Sequence, residues 1–254
     1  MKYRPLVVLG SCALAFGLVA GCSAKPAVSG AGSSASSASS SASPSKSAGE
    51  VIDAMMKAMQ QATSVRVAQV QGSSSPVQAS GSAGASASAA APVSVVSEGS
   101  LTGANYLSDL SLAGGSHVNV LVVDDQTYLQ GNDAYWASAG SPEDLRRTLV
   151  GKWVSKQAMI DGSTLNKLEP STVIAEQVAD IRGQGFKEVE QDTRDGRQVF
   201  RLRANGDAEV VIDAATMLPS HVKVSSRSFP TDLSEWNAVP LKTAPPEDQI
   251  VKVS

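Results

Sequence analysis

The sequence predicts an α+β fold built on one large antiparallel sheet. Short strand-like runs recur at meander spacing, separated by turn signals: Thr102-Gly103-Ala104-Asn105, Gly114-Gly115, Asp124-Asp125, Asp195-Gly196 and Asn205-Gly206. Two stretches instead carry helical stripes, over residues 50–63 and 169–182. The run Val118 to Val123 is apolar on both faces, which marks a central strand whose second face needs a cover. Strands grouped in two meanders, with helical segments before and between them, are an α+β pattern.

The chain opens with Met1-Lys2-Tyr3-Arg4, then a stretch from Leu6 to Ala20 that is almost wholly apolar. Positive charge followed by a short apolar run is the form of a secretory signal peptide, and about 15 residues is short of the ~20 a membrane span needs. The run ends in Leu18-Val19-Ala20-Gly21-Cys22, the pattern of a lipobox. The expectation is cleavage before Cys22, a diacylglycerol on its thiol, and a mature chain held on the outer face of the cell membrane. Each buried methylene contributes ~0.8 kcal/mol, so two acyl chains make a durable anchor. Residues 1–21 are therefore read as the signal and 22–49 as the lipidated cysteine with its tether. Ser23 to Gly49 is Ser, Ala, Gly and Pro with two lysines, a composition that buries too little to fold. As a flexible coil of ~26 residues it reaches roughly 25–30 Å.

Cleavage would remove Lys2 and Arg4, lowering the basic count from 21 to 19 against 24 acidic residues, so the net charge moves from −3 to −5. That balance carries no electrostatic footprint for nucleic acid. Cys12 leaves with the signal and Cys22 becomes a thioether, so no disulfide is expected. Aromatics make up only 4% of the chain, and the core must be mostly aliphatic side chains and methionine.

The folded part is expected over 50–254. Glu50–Thr63 forms a helix with Val51, Met55, Met59 and Ala62 on one stripe. Ser64–Gln71 alternates as a strand. Residues 72–92 are again Ser, Ala and Gly, and read as a long disordered insertion in a hairpin rather than a domain boundary. Strands follow at Val93–Ser100, Tyr106–Leu112, His117–Val123 and Gln126–Gln130. Asn132 to Gly151 is irregular apart from a short helix, Pro142–Leu149, and is flanked by Trp136 and Trp153. Glu169–Arg182 is the second long helix, with Pro170 in its first turn, a stripe of Ile174, Val178 and Ile181, and Gly183 at its end. Strands then run Phe186–Gln191, Arg197–Ala204, Ala208–Ile212, Ser220–Ser226 and Thr231–Trp236, before an extended tail at Ala244–Gln249.

Little points to chemistry. The two histidines, His117 and His221, stand near no Gly-x-Ser-x-Gly elbow and read as surface residues. With no free cysteine they make no zinc set. Asp124-Asp125 lacks the alternating oxygens of a calcium loop. No catalytic residue, metal or cofactor is expected. Met55, Met56 and Met59 are core or the wall of a cavity, because thioether chains adapt to irregular apolar guests. Trp136 and Trp153 either cap a cavity mouth or, preferably, anchor the irregular segment to the sheet. Arg146, Arg147, Lys152 and Lys156 form a local basic cluster, a solvated face or a contact for anionic headgroups.

The order of motifs resembles a known family. The lipobox and Ser/Ala tether precede an amphipathic helix and Val122-Val123-Asp124-Asp125-Gln126-Thr127-Tyr128-Leu129. Ala134-Tyr135-Trp136 and Gly151-Lys152-Trp153-Val154 come next. Ile212-Asp213 with Leu218-Pro219, Leu233-Ser234-Glu235-Trp236-Asn237 and the Pro-Pro-Glu-Asp-Gln tail complete the series. From Glu50 to the C-terminus this is similar to the LolA-like actinobacterial lipoproteins, the family of LppX, LprA, LprF and LprG. The resemblance implies a strongly curved, unclosed antiparallel half-barrel with helices across its concave face and an apolar cavity between them. Some members bind acylated lipids there and help move them through the envelope. The 72–92 insertion departs from the short turn expected at that place.

The expected function is therefore a non-enzymatic, membrane-anchored extracytoplasmic lipoprotein that binds a lipid or other amphiphile. Cys22 is the attachment site, and Met55, Met59, Val120, Val122, Ile174 and Val178 are the candidate cavity lining. The alternative is an extracytoplasmic protein-interaction or accessory lipoprotein, with an envelope protein as partner and no lipid cargo.

Overall fold

The computed structural model describes residues 46–71, 93–155, 162–227 and 229–252, and Pro44–Ser254 forms one compact unit. The signal, Cys22, most of the tether, the insertion 72–92 and Lys156 lie outside the described residues.

The first helix, α1 (Ala48–Gln61), begins two residues earlier than its apolar stripe implies. Ser47 and Glu50 form a capping box: the Ser47 hydroxyl accepts from the Glu50 amide, and the Glu50 carboxylate accepts from the Ser47 amide at 2.8 Å. Ala48 and Gly49, read from the sequence as the end of the 22–49 tether, thus lie in the first turn of α1, and Ser47 caps it.

Among the described residues twelve strands form one unclosed sheet. β1 (Ser64–Gln71), β2 (Val93–Ser100), β3 (Tyr106–Ser111), β4 (His117–Val123) and β5 (Gln126–Gly131) make the first meander. Three short helices follow, α2 (Asp133–Ser138), α3 (Glu143–Leu149) and, after β6 (Trp153–Ser155), α4 (Gly162–Leu168). Helix α5 (Pro170–Gly183) leads to the second meander, β7 (Glu188–Arg194), β8 (Arg197–Arg203), β9 (Glu209–Asp213), β10 (Pro219–Lys223) and β11 (Thr231–Ser234). A last strand, β12 (Ile250–Lys252), completes the set. The spatial order is β12-β6-β5-β4-β3-β2-β1-β11-β10-β9-β8-β7. Every pair is antiparallel except β12 with β6.

The turns carry the meanders. Asp124 and Asp125 have φ of 50° and 61°, and Asp195 and Gly196 have 51° and 76°. Two successive positive φ values suit the right-handed twist of tight hairpins. After β11 the chain crosses to the far edge. The Asn237 amide bonds the Ser64 carbonyl at 2.9 Å, and the Lys242 amide bonds Asn105 Oδ1 at 2.8 Å, before β12 pairs with β6. On the outer face along this path, Glu98 receives Arg66 at 2.8 Å and Lys242 at 2.5 Å.

The helices α1–α5 pack on one face, but in two groups. Helices α1 and α5 cover β1 and β8–β11, where Val51, Met55, Met59, Val65, Val173, Ile181, Leu202, Val210, Ile212 and Val222 meet. Helices α2, α3 and α4 cover β3–β6, where Tyr106, Val118, Val120, Val122, Leu129 and Val154 pack with Trp136, Leu149 and Leu168. Neither α1 nor α5 shares a core group with β4. β4 is indeed buried on both faces, with Leu121 and Val123 at 6% and 5% exposure opposite the valines, but its inner cover is Trp136 and its neighbours. Val120 and Val122, two residues apart on one strand, share that inner face.

Between the two groups the inner face is small and polar. Ser97 and Ser108 are buried with their hydroxyl oxygens 2.7 Å apart, and the Ser108 hydroxyl donates to the Leu168 carbonyl at 3.3 Å. Gln177 of α5 is fully buried and donates to Thr231 Oγ1 at 2.9 Å, while Gln69 reaches the same oxygen at 3.3 Å. Short serines at this level let the α4–α5 junction approach β2 and β3.

Candidate functional site: an apolar cleft between two helices

Helices α1 and α5 do not seal against each other. Between them, and above the Leu101-Thr102 turn that joins β2 to β3, lies an open cleft of about 360 Å³. Met56, Met59, Ala62 and Ile174 form its buried floor, at 6%, 4%, 6% and 7% exposure. Leu101, Val178 and Ser171 form half-buried walls, and Gln60, Thr102 and Ala175 stand exposed at the lip. A volume in the range of small-molecule sites, floored by flexible thioethers and an isoleucine, suits an apolar guest.

Each wall is fixed from outside the cleft. The end of α1 is held by Asn237, whose Oδ1 accepts from the Thr63 amide at 2.7 Å. The Leu101 amide donates to the Thr63 carbonyl at 2.8 Å, which brings the β2–β3 turn under the end of α1. Helix α5 starts at Pro170, whose fixed φ suits the first turn. Its outer flank is clamped by Arg227, which donates to Asp180 at 2.6 Å and Glu176 at 3.0 Å. Burial disfavours the Arg227 charge, but the two carboxylates outweigh it and raise its pKa above the ordinary value. The Ser171 hydroxyl donates to Glu169 Oε1 at 2.7 Å. Nearby, burial pushes the Tyr106 hydroxyl up to about 12, with the Glu169 charge adding to it.

Of the six residues expected to line a cavity, the cleft brings together Met59, Ile174 and Val178. Met55 lies in the same core group, fully buried. Val120 and Val122 belong to the other group under Trp136 and do not reach the cleft, because their strand sits beneath a different set of helices. Leu101, Thr102 and Ser171 were not signalled by any apolar stripe. They arrive through the β2–β3 turn and the first turn of α5.

The other polar features have local explanations. Trp136 is fully buried, donates to the Gly131 carbonyl at 3.0 Å and meets the Tyr135 ring edge-on at 5.0 Å, so it anchors its segment to the sheet. Arg146 pairs with Asp133 at 2.8 Å and Arg147 pairs with Glu143, so two of the four basic residues read as a solvated face or a headgroup contact have carboxylate partners. His117 bonds Asp109 at 3.0 Å and His221 bonds Asp232 at 2.7 Å. Among the described residues no group of three His, Cys, Asp or Glu side chains could hold a metal. A wider open depression of about 710 Å³ on the outer face, with Arg194, Arg197, Asp213, His221, Asp232 and Glu235 around it, mixes both charge signs. Burial opposes ionisation of Asp213, yet its carboxylate accepts from the Thr216 and Ala215 amides and is held below the usual range.

No protein-family model matches the chain, and no curated protein matches it. Among solved structures it is similar to the crystal structure of the Mycobacterium tuberculosis lipoprotein LppX, at 12% identity, with 76% of this chain and 96% of that chain covered and a TM-score of 0.40.

Proposed function

We propose that this protein is a lipoprotein tethered through Cys22 to the outer face of a cell membrane, where it binds a lipid or other amphiphile without chemical turnover. The observation that carries the reading is the open, methionine-floored cleft between α1 and α5. The Leu18-Val19-Ala20-Gly21-Cys22 run and the low-complexity tether behind it supply the location. A tether of roughly 25–30 Å lets the cleft reach the membrane surface and withdraw from it, as handing lipid through an envelope requires. Burial of hydrocarbon in the cleft contributes about 25 cal/mol per Å² before ordering costs.

Two measurements test this. Cys22→Ala is expected to abolish partitioning of the protein into a detergent phase; unchanged partitioning would refute the anchor. The purified Cys22→Ala chain is expected to yield lipid on organic extraction and to bind an environment-sensitive fluorescent amphiphile. Adding Ala175→Trp places an indole at the exposed lip, where the core is not overpacked, and is expected to weaken that binding at least about tenfold. A folded Cys22→Ala chain with no extractable lipid and no probe binding would move the reading to a protein-interaction role, and probe binding unchanged by Ala175→Trp would refute this cleft as the place of binding.

A further inference from the structure

The lining of the cleft also bears on which headgroup it accepts, an inference that rests on the amphiphile reading. Among the described residues, none that lines it is ionisable: its polar members are Gln60, Thr102 and Ser171. Ser171 gives its hydroxyl proton to Glu169 at 2.7 Å, so a carboxylate stands one hydrogen bond behind the lip while the Ser171 oxygen keeps lone pairs for a donor. Arg227, on the flank of α5, is engaged by Asp180 and Glu176. An anionic headgroup would lose water here, meet no cation and face the Glu169 charge. A hydroxyl headgroup would find acceptors at Ser171 and both donors and acceptors at Gln60 and Thr102. The cleft, at about 360 Å³, has room for one medium alkyl chain.

We infer that the cleft selects an uncharged, single-chain amphiphile with a hydroxyl-bearing headgroup, and that Glu169 behind Ser171 is the residue that turns anionic chains away.

Calorimetric titration of the Cys22→Ala chain with monodecanoylglycerol, decanoate and vesicles of dioleoylphosphatidylglycerol reads this directly. Monodecanoylglycerol is expected to bind at least about tenfold more tightly than decanoate at neutral pH, and the diacyl lipid more weakly than either. Adding Glu169→Gln, which keeps an acceptor for Ser171 but removes the charge, is expected to bring the first two within about threefold by strengthening decanoate. Circular dichroism confirms that this variant is folded. Decanoate binding as well as monodecanoylglycerol, a gap unchanged by Glu169→Gln, or tighter binding of the diacyl lipid would each overturn the selectivity while leaving amphiphile binding intact. Failure of every probe to bind would overturn both.

Discussion

Gln177 offers a test of how the interior is held. It is fully buried beneath α5, and its amide donates to Thr231 Oγ1 at 2.9 Å, but its Oε1 has no partner. An orphaned buried acceptor costs about 1–3 kcal/mol, whereas one hydrogen bond contributes only about 1 kcal/mol. Gln177→Leu removes both and leaves Thr231 its contact with Gln69 at 3.3 Å. The expected result is a protein more stable by about 0–2 kcal/mol, helped by the more apolar side chain. Thr231→Val acts oppositely. It leaves the buried Gln177 amide and the half-buried Gln69 amide without their shared acceptor and is expected to destabilise by about 1–3 kcal/mol. In the Gln177→Leu background the Thr231→Val loss should shrink by 1 kcal/mol or more, since one of the stranded donors is gone. Urea unfolding followed by tryptophan fluorescence measures all four proteins, with unchanged m-values as the check on two-state behaviour. Destabilisation of Gln177→Leu by more than about 1 kcal/mol would refute the argument, because the oxygen would then have a satisfied partner such as an ordered water.

Two further outcomes follow from the geometry of the sheet. Burial opposes the Glu98 charge, but the hydrogen bond and charge of Lys242, with Arg66 beside it, prevail and hold the carboxyl below its ordinary range. A depressed folded pKa gives stability that is present above the unfolded value and lost as pH falls through the folded one. Unfolding free energy should thus drop more steeply below about pH 4.5 in the native chain than in Glu98→Gln, and equal slopes would show that the cluster contributes nothing. Gly131→Ala would place a methyl 2.3 Å from the Tyr135 ring and 3.1 Å from Trp136, and should cost about 1–3 kcal/mol by thermal denaturation; a loss under 0.5 kcal/mol would mean that the α2 contact yields freely.

What was legible in the sequence was local. Asp124-Asp125 and Asp195-Gly196 set two hairpins at their stated positions because positive φ is read from two adjacent residues. Helix α5 appears close to its expected place because Pro170 and Gly183 bound it, with Ile174 and Ile181 buried as expected but Gln177, not Val178, fully buried between them. What was missed depends on distant chain. β6 and β12 have three residues each and exist through a parallel pairing across almost a hundred positions, Ile250 with Trp153 and Val251 with Val154. α2 is only six residues long, and its cue, Asn132 accepting from the Tyr135 amide, looks like any turn asparagine in sequence. The cleft was half legible for the same reason. Periodicity placed Met59, Ile174 and Val178 on buried stripes, but it cannot say that Leu101 folds under Thr63 or that Val120 is covered by Trp136 rather than by Met55.

The placement of the cleft follows from the polar strip beneath the helices. An apolar cavity between sheet and helices would need a continuous apolar inner face from β4 to β9. Ser97, Ser108, Gln69, Thr231 and Gln177 interrupt that face with hydrogen-bonded groups that draw α4 and α5 down onto β1–β3. The interior is thereby divided into two aliphatic groups, each filled by its own helices. Free volume lined by apolar atoms is left where two helices approach without interdigitating, at the end of α1 and the start of α5. There the sequence supplies Met56, Met59, Ala62 and Ala175 beside Leu101, Ile174 and Val178, and no aromatic side chain lines the gap. A guest entering this cleft need not part helices from sheet, so binding and release require no loss of either core group. On the amphiphile reading proposed above, saturating ligand is expected to raise the unfolding temperature without a change in the near-ultraviolet signal of Trp136.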